Sequence, residues 1–240
     1  MRLFRSYITG LFLTLSILPL QVLSAEKTVL ITGANRGIGL ALAEQFNNAG
    51  YQVIGTARKP AKADALKKLG ARVEQLDVAD AKSVKELATR LLNTPIDILI
   101  NNAGITGHSA DSLATLDVEQ LDWVYQVNTL GPLRVTQALQ PNLEQGKLKQ
   151  VVDVSSMMGS MELNTWGGYI GYRASKAALN SFNKTLSVEL GKQGYTFVVV
   201  HPGYVQTDMN EGQGEISSQQ SAQGLYKVIA DLKSSDNGHF

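Results

Sequence analysis

A phenol and an ammonium four positions apart, Tyr172 and Lys176 in Tyr172-Arg-Ala-Ser-Lys176, have the spacing that proton-transfer chemistry needs. On a helix, positions i and i+4 project from one face about one turn apart. A free tyrosine has a pKa near ~10 and trades protons poorly at neutral pH, but a fixed cation alongside favours the phenolate. Lowering that pKa by ~3 units takes roughly 4 kcal/mol of differential stabilisation, at ~1.36 kcal/mol per unit. The same pair would also occur on an ordinary helix with an exposed lysine, so the weight falls on its surroundings.

The elements that would position the pair begin near residue 28. Thr28-Val-Leu-Ile-Thr32 predicts a buried first strand, and it runs into Gly33-Ala-Asn-Arg-Gly37-Ile-Gly39. Ile38, Leu42 and Phe46 recur at i/i+4 spacing, so a helix starts at the glycines. A strand, a glycine turn and a helix N-terminus together form an anion site, because free N–H groups and the positive dipole end face one point. Gly33, Asn35, Arg36, Gly37, Ile38 and Gly39 are therefore candidate contacts to a dinucleotide pyrophosphate. The spacing is G-x-x-x-G-x-G, not G-x-G-x-x-G, and in isolation it is equally a tight turn.

The second strand, Gln52 to Ala57, ends where an NAD site usually places a carboxylate for the ribose 2′-OH. Here Ala57 is followed by Arg58, with Arg36 in the glycine turn. Two guanidiniums suit a 2′-phosphate, so NADP(H) is expected over NAD(H), the alternative being two solvated arginines. The positive nicotinamide ring of the oxidised form would add a second charge beside Tyr172.

Further along, Ala61 to Leu69 reads as a helix and Arg72 to Leu76 as a third strand delivering Asp77-Val78. A helix then runs through Leu92, and Ile96 to Ile100 is a fourth strand ending in Asn101-Asn102-Ala103-Gly104. The asparagine amides suit either tying loop backbone or holding cofactor. Asp117-Val-Glu-Gln120 resembles a capping box opening a long helix that carries Asn128, with Pro132 disrupting the backbone bonding nearby. Asn128 is a core amide or part of a proton relay. Gln150 to Val154 is a fifth strand, with Ser155-Ser156 at its carboxyl end, where ligands of open α/β sheets bind. Thr196 to His201 is a sixth, closed by Pro202-Gly203, and His201 reads as a strand-end structural residue. Asn210 to Ser221 suggests a mobile flap before a last helix from Ala222 to Leu232. Strands alternating with helices predict an α/β fold: a single-domain, Rossmann-type, doubly wound parallel sheet of six strands, with a seventh short or missing.

Composition bounds the rest. The 240 residues suit one domain, and 44% hydrophobic with 18% charged residues is a folded composition. A net charge of +1 without a basic run argues against nucleic acid as a partner. There is no cysteine, and His108, His201 and His239 have no metal-ligand spacing, so no metal site is expected. Arg2 and Arg5 precede an apolar run from about Tyr7 to Leu23 and the small pair Ser24-Ala25, the order of a secretory signal peptide. The domain proper is then residues 26–240. At 1.5 Å per residue the run reaches roughly 25 Å, so an uncleaved anchor touching the membrane through residues 7–23 is the competitor. Export, to the periplasm or the membrane, is expected if the segment is used; a cytoplasmic enzyme is the alternative.

The ordered set Thr32-Gly-x-x-x-Gly37-x-Gly39, Asn101-Asn-Ala-Gly104, Asn128, Ser156, Tyr172-x-x-x-Lys176 and Pro202-Gly203 resembles the short-chain dehydrogenase/reductase family. Gly168-Tyr-Ile-Gly-Tyr172-Arg-Ala-Ser-Lys-Ala-Ala-Leu-Asn180 and the run from His201 to Asp208 look like its C-factor/sniffer carbonyl-reductase branch. The resemblance implies Tyr172 as general acid/base, Lys176 on the nicotinamide ribose, Ser156 on the carbonyl oxygen and Asn128 holding a relay water. Hydride would pass between nicotinamide and a small-molecule carbonyl or alcohol. Asp77 and Val78 would flank the adenine, and Thr207 would contact the carboxamide. Asn102, Ala103, Gly104, Pro202, Gly203 and Val205 complete the implied cofactor contacts. A homo-oligomer is a further possibility, and a non-catalytic cofactor-binding or signalling protein of the C-factor type is the competing function. A serine hydrolase is remote, since no G-x-S-x-G elbow is present. The Ser156-to-Tyr172 interval is a few residues longer than the family's commonest spacing. Specificity is expected in the flap and in the Met157 to Ile170 loop, whose Met157, Met158 and Met161 are either an adaptable apolar pocket or core.

Overall fold

A computed structural model describes residues 26–107 and 112–240. The expected signal segment, residues 1–25, and His108 lie outside the described residues. Six strands, β1 (Thr28–Ile31), β2 (Gln52–Ala57), β3 (Arg72–Gln75), β4 (Ile98–Asn101), β5 (Gln150–Val154) and β6 (Thr196–Val200), form one parallel sheet. Their order is β3-β2-β1-β4-β5-β6, so the direction of winding reverses between β1 and β4. The ligand crevice of such a sheet opens at that switch point, beyond the carboxyl ends of the strands.

Strand side chains alternate between the two faces, and here both faces are buried. Val29, Ile31, Ile98, Ile100 and Val152 pack with Leu42 and Phe46 of helix α1 (Gly37–Asn48) and with Leu225 and Ile229 of a C-terminal helix. Leu30, Leu99, Val151 and Phe197 face the other way, toward α3 (Ala81–Arg90) and α5 (Leu130–Ala138). The remaining helices are α2 (Asp64–Lys68), α4 (Val118–Asn128), α6 (Gln140–Gln145), α7 (Ile170–Leu190) and α8 (Ser218–Ala230). Among the described residues no helix is long and apolar enough to cross a membrane.

Three boundaries differ from expectation, each for a local reason. The helix expected over 61–69 is a 3-10 turn at Pro60–Lys62 followed by α2, whose Leu66 is buried. The long helix carrying Asn128 breaks into α4 and α5 at Thr129, because Pro132 has no N–H to offer the turn before it. Asp117 does cap α4, accepting from the N–H groups of Glu119 and Gln120. α8 starts four residues early because Ser217 and Gln220 form a reciprocal capping box, so the polar stretch read as a flap is partly the exposed face of a helix.

The chain end forms no seventh strand, yet it covers the outer edge of β6. Gly238 N–H donates to Phe197 O at 2.7 Å, Val199 N–H donates to His239 O at 3.2 Å, and Asn237 Oδ1 accepts from Phe197 N–H at 2.9 Å.

Candidate active site

A cleft of roughly 1060 Å³ lies over the switch point. Its floor is the turn between β1 and α1. Gly33 and Gly37 sit at φ 63° and 54°, a backbone region that L side chains seldom enter. Arg36 is the N-cap of α1 and makes no side-chain cap, and the first turn carries no acidic residue, so the helix's N–H groups are left for an anion. The cleft is lined by Gly33, Asn35, Arg36, Gly37, Ile38 and Gly39, and by Arg58, Asp77, Val78, Asn102, Ala103 and Gly104. The same lining includes Ser156, Tyr172, Lys176, Pro202, Gly203, Val205 and Thr207. Nearly every residue expected at the site therefore faces one cavity.

Two of the expected cofactor residues have structural duties as well. Asn102 donates its amide to Thr32 O and Gly33 O at 2.9 and 3.2 Å, and Thr32 Oγ1 accepts from the Asn102 and Ala103 N–H groups at 3.0 Å each. These bonds brace the glycine turn against β4. Gly39 completes the brace, since a Cβ there would stand 2.5 Å from both Asn102 Nδ2 and Gly33 O. Gly39→Ala is therefore expected to destabilise the fold by about 1–3 kcal/mol, although alanine in a free helix gains about 1 kcal/mol over glycine. Thermal unfolding of the variant checks the sign.

The proton-transfer pair sits on α7 as its spacing implied, but its electrostatics do not follow the expectation. Lys176 is 4% exposed and donates through Nζ to Val154 O at 2.7 Å. Its Nζ stands 5.8 Å from the centre of the Tyr172 ring. Burial lowers its pKa to about 8, with the Asp153 carboxylate opposing that shift. Asp153 is itself held by Asn101 Nδ2 at 2.8 Å and Asn183 Nδ2 at 2.9 Å, while burial pushes its carboxyl up. The Tyr172 phenol is raised, not lowered: burial dominates and the Ser156 hydroxyl only partly opposes it. The protein's own groups thus keep Tyr172 protonated at neutral pH.

Ser156 has both duties that its position allowed, since its Oγ accepts from Met158 N–H at 3.1 Å and also faces the phenol. Ser155, its neighbour, turns away to Asn180 Oδ1 at 2.5 Å. Asn128 does not line the cleft. Its Oδ1 accepts from Ile105 N–H at 2.8 Å, and its Nδ2 donates to Ile105 O at 2.7 Å and Ser175 Oγ at 3.1 Å. It therefore ties the loop after β4 to the helix bearing the pair. His201 accepts at Nδ1 from Met157 N–H at 3.3 Å, and burial lowers its pKa, so it is a neutral structural residue.

Several features of the cleft escaped the sequence reading. Arg36 is paired with Asp208 at 2.8 Å, although 172 positions separate them. Trp123, Trp166, Tyr169 and Tyr204 line the same cleft, the first two being the chain's two tryptophans. The expected flap is held by a bridge between Val205 and Ile216 and by Asn210, which donates to Val205 O at 3.0 Å. Among the described residues, no group of His, Cys, Asp and Glu is placed to hold a metal.

A parallel sheet whose glycine turn and tyrosine–lysine pair open on one cleft is the architecture of a Rossmann-type oxidoreductase. Residues 27–217 match the family model for short chain dehydrogenases, and the chain belongs to that family. C-signal of Myxococcus xanthus is 41% identical over 157 residues, covering 65% of this chain and 94% of that protein. The NADPH-bound carbonyl reductase from chicken fatty liver superposes with a TM-score of 0.80 at 31% identity, covering 89% and 94% of the two chains. Carbonyl reductase Sniffer of D. melanogaster gives a TM-score of 0.82 at 28% identity, covering 89% and 95%.

Proposed function

We propose that the protein is an NADP(H)-preferring reductase that converts a small-molecule carbonyl to its alcohol, with Tyr172 as the general acid. The observation that carries this reading is the convergence of Tyr172, Lys176 and Ser156 on the cleft that the glycine turn floors. The bare N-terminus of α1 and the left-handed Gly33 and Gly37 fit a pyrophosphate. Bound nicotinamide would supply the hydride. Ser156 orients the carbonyl oxygen, and Tyr172 delivers the proton from its phenol. Lys176 has Asp153 behind it and Val154 O in front, which fixes its ammonium where a nicotinamide ribose would lie. Asn128 holds the loop and α7 in register, and a relay water would rest on that frame.

A phenol kept protonated suits reduction, in which the group must give a proton. A non-catalytic binding protein would have no use for this set of buried polar residues. Relatives of this chain are named oxidoreductases, and the chicken neighbour is described with NADPH bound.

Preference for the 2′-phosphate rests chiefly on Arg58, which lines the cleft at the end of β2 with no carboxylate beside Ala57. Arg36 is engaged with Asp208, but both partners are well exposed, and such pairs are worth only ~0.2–1 kcal/mol, so a phosphate would displace the aspartate. Titration of the protein with NADPH and NADH tests the preference. NADPH should bind more tightly by roughly tenfold or more, the ~1.5–3 kcal/mol of a charge-assisted contact. Arg58→Ala should remove most of that difference while leaving NADH affinity unchanged; equal affinities in the unaltered protein would overturn it.

A further inference from the structure

We propose that Arg173 is the positioning residue of the substrate wall, and that the wall it fixes selects carbonyl compounds carrying a planar aromatic group. This rests on the reductase reading above. The wall is the segment just before α7, where Gly167, Gly168 and Tyr169 follow one another at φ 71°, 67° and 52°. Glycine accepts that left-handed conformation, but a tyrosine held there needs something outside its own backbone to keep it. Arg173 supplies the hold. Its side chain is nearly buried, at 8% exposure, and Nε donates to Gly168 O at 3.1 Å while Nη2 donates to Gly167 O at 3.3 Å. The guanidinium carbon lies 4.2 Å from the centre of the Trp166 ring, and the Arg173 N–H donates to Tyr169 O at 2.9 Å.

Only a planar fork makes two carbonyl bonds and stacks on an indole at once; a lysine ammonium cannot. Trp166 in turn meets Tyr169 edge-to-face, with centroids 5.9 Å apart. Trp166 and Tyr169 both line the cleft, and Tyr169 stands three positions before the phenol of Tyr172 on the start of the same helix. Trp123 lines the same cleft, so both indoles of the protein face it while remaining 47% and 63% exposed. Flat apolar surface presented to a cleft beside the reacting group gains most from an aromatic ring, which stacks on it, and least from a small aliphatic carbonyl. The long Ser156-to-Tyr172 interval thereby acquires a purpose: it carries Trp166 out to the cleft, where Arg173 pins it.

The test compares 1-phenyl-1,2-propanedione with 2,3-butanedione, two diketones that differ by a phenyl ring, as substrates with NADPH. The unaltered protein should favour the phenyl compound in kcat/KM. Trp166→Ala, at a mostly exposed position, should lower kcat/KM for the phenyl compound by roughly tenfold, chiefly through KM. The value for butanedione should fall by clearly less, and Trp166→Phe should restore most of the loss. Arg173→Lys should reproduce the same loss of selectivity at unchanged NADPH affinity; if that variant does not fold, the two Trp166 variants decide alone. In a Trp123→Phe background, the remaining indole emission should be quenched when the phenyl compound is added to the NADP+ complex. Equal losses on both diketones, or an unaltered protein that favours butanedione, would overturn the proposal. If neither diketone consumes NADPH, the reductase reading fails, while quenching of Trp166 still decides whether the wall takes an aromatic ring.

Discussion

Tyr172→Phe is expected to lower kcat/KM for carbonyl reduction by about 10²–10⁴-fold, the range seen when a positioned acid–base group is lost. The substitution removes one hydroxyl and leaves the ring, so the packing of α7 against the cleft is kept. NADPH affinity should not change, because the phosphate turn and Lys176 are untouched. The loss should appear in kcat, since the phenol does its work only as the proton moves. Steady-state kinetics beside a fluorescence titration of NADPH check both halves. A variant that retains turnover would remove Tyr172 from the chemistry, and one that no longer binds NADPH would make its role structural.

The second large effect pairs a gain with a loss. Burial takes the Lys176 pKa from 10.5 to about 8. A folded-state pKa below the unfolded one means that the unfolded chain holds more proton between those two values. The stability cost is therefore fully present below pH 8 and relieved as pH rises toward 10.5. At ~1.36 kcal/mol per pKa unit, the move from 10.5 to about 8 costs on the order of 3 kcal/mol at neutral pH. Lys176→Met, similar in volume, removes that cost but leaves Val154 O without its donor and the buried Asp153 without the cation it interacts with, which together return much of it. A modest net stabilisation is expected in denaturant unfolding at pH 7, together with near-complete loss of turnover. In the unaltered protein, reduction should decline as pH rises past about 8, where Lys176 gives up its charge. Destabilisation by Lys176→Met, or a rate indifferent to pH across that range, would contradict this account of the lysine.

How much of this was legible beforehand depends on whether the determining contact is local. The strands were, because runs such as Thr196 to Val200 are β-branched, apolar and bounded by polar or glycine positions. The glycine turn was, because glycine spacing and helix periodicity sit side by side in the chain. The parallel sheet followed from alternating strands and helices, and Pro132 marked the break beside Asn128. The sign of the Tyr172 shift was not legible: the i/i+4 spacing places an ammonium nearby but says nothing of the dielectric around it. Here Lys176 points at Val154 O, and burial outweighs everything acting on the phenol. Arg173 also escaped notice, since an arginine inside a helix reads as a solvated face until the backbone of Gly167 and Gly168 folds back to meet it. The pairing of Arg36 with Asp208 joins opposite ends of the chain, which no local pattern announces. The capping box at Ser217 and Gln220 was visible in the residues, but the polar composition around it read as a flap.

The central claim is that this cleft passes hydride from a bound nicotinamide to a carbonyl carbon. The most direct test is to reduce 1-phenyl-1,2-propanedione with NADPH carrying deuterium at the transferable C4 position and to analyse the alcohol by mass spectrometry. The account predicts one deuterium on the carbinol carbon, with Tyr172→Phe yielding almost no alcohol. An alcohol formed without the label, or NADPH consumed with no alcohol formed, would contradict it.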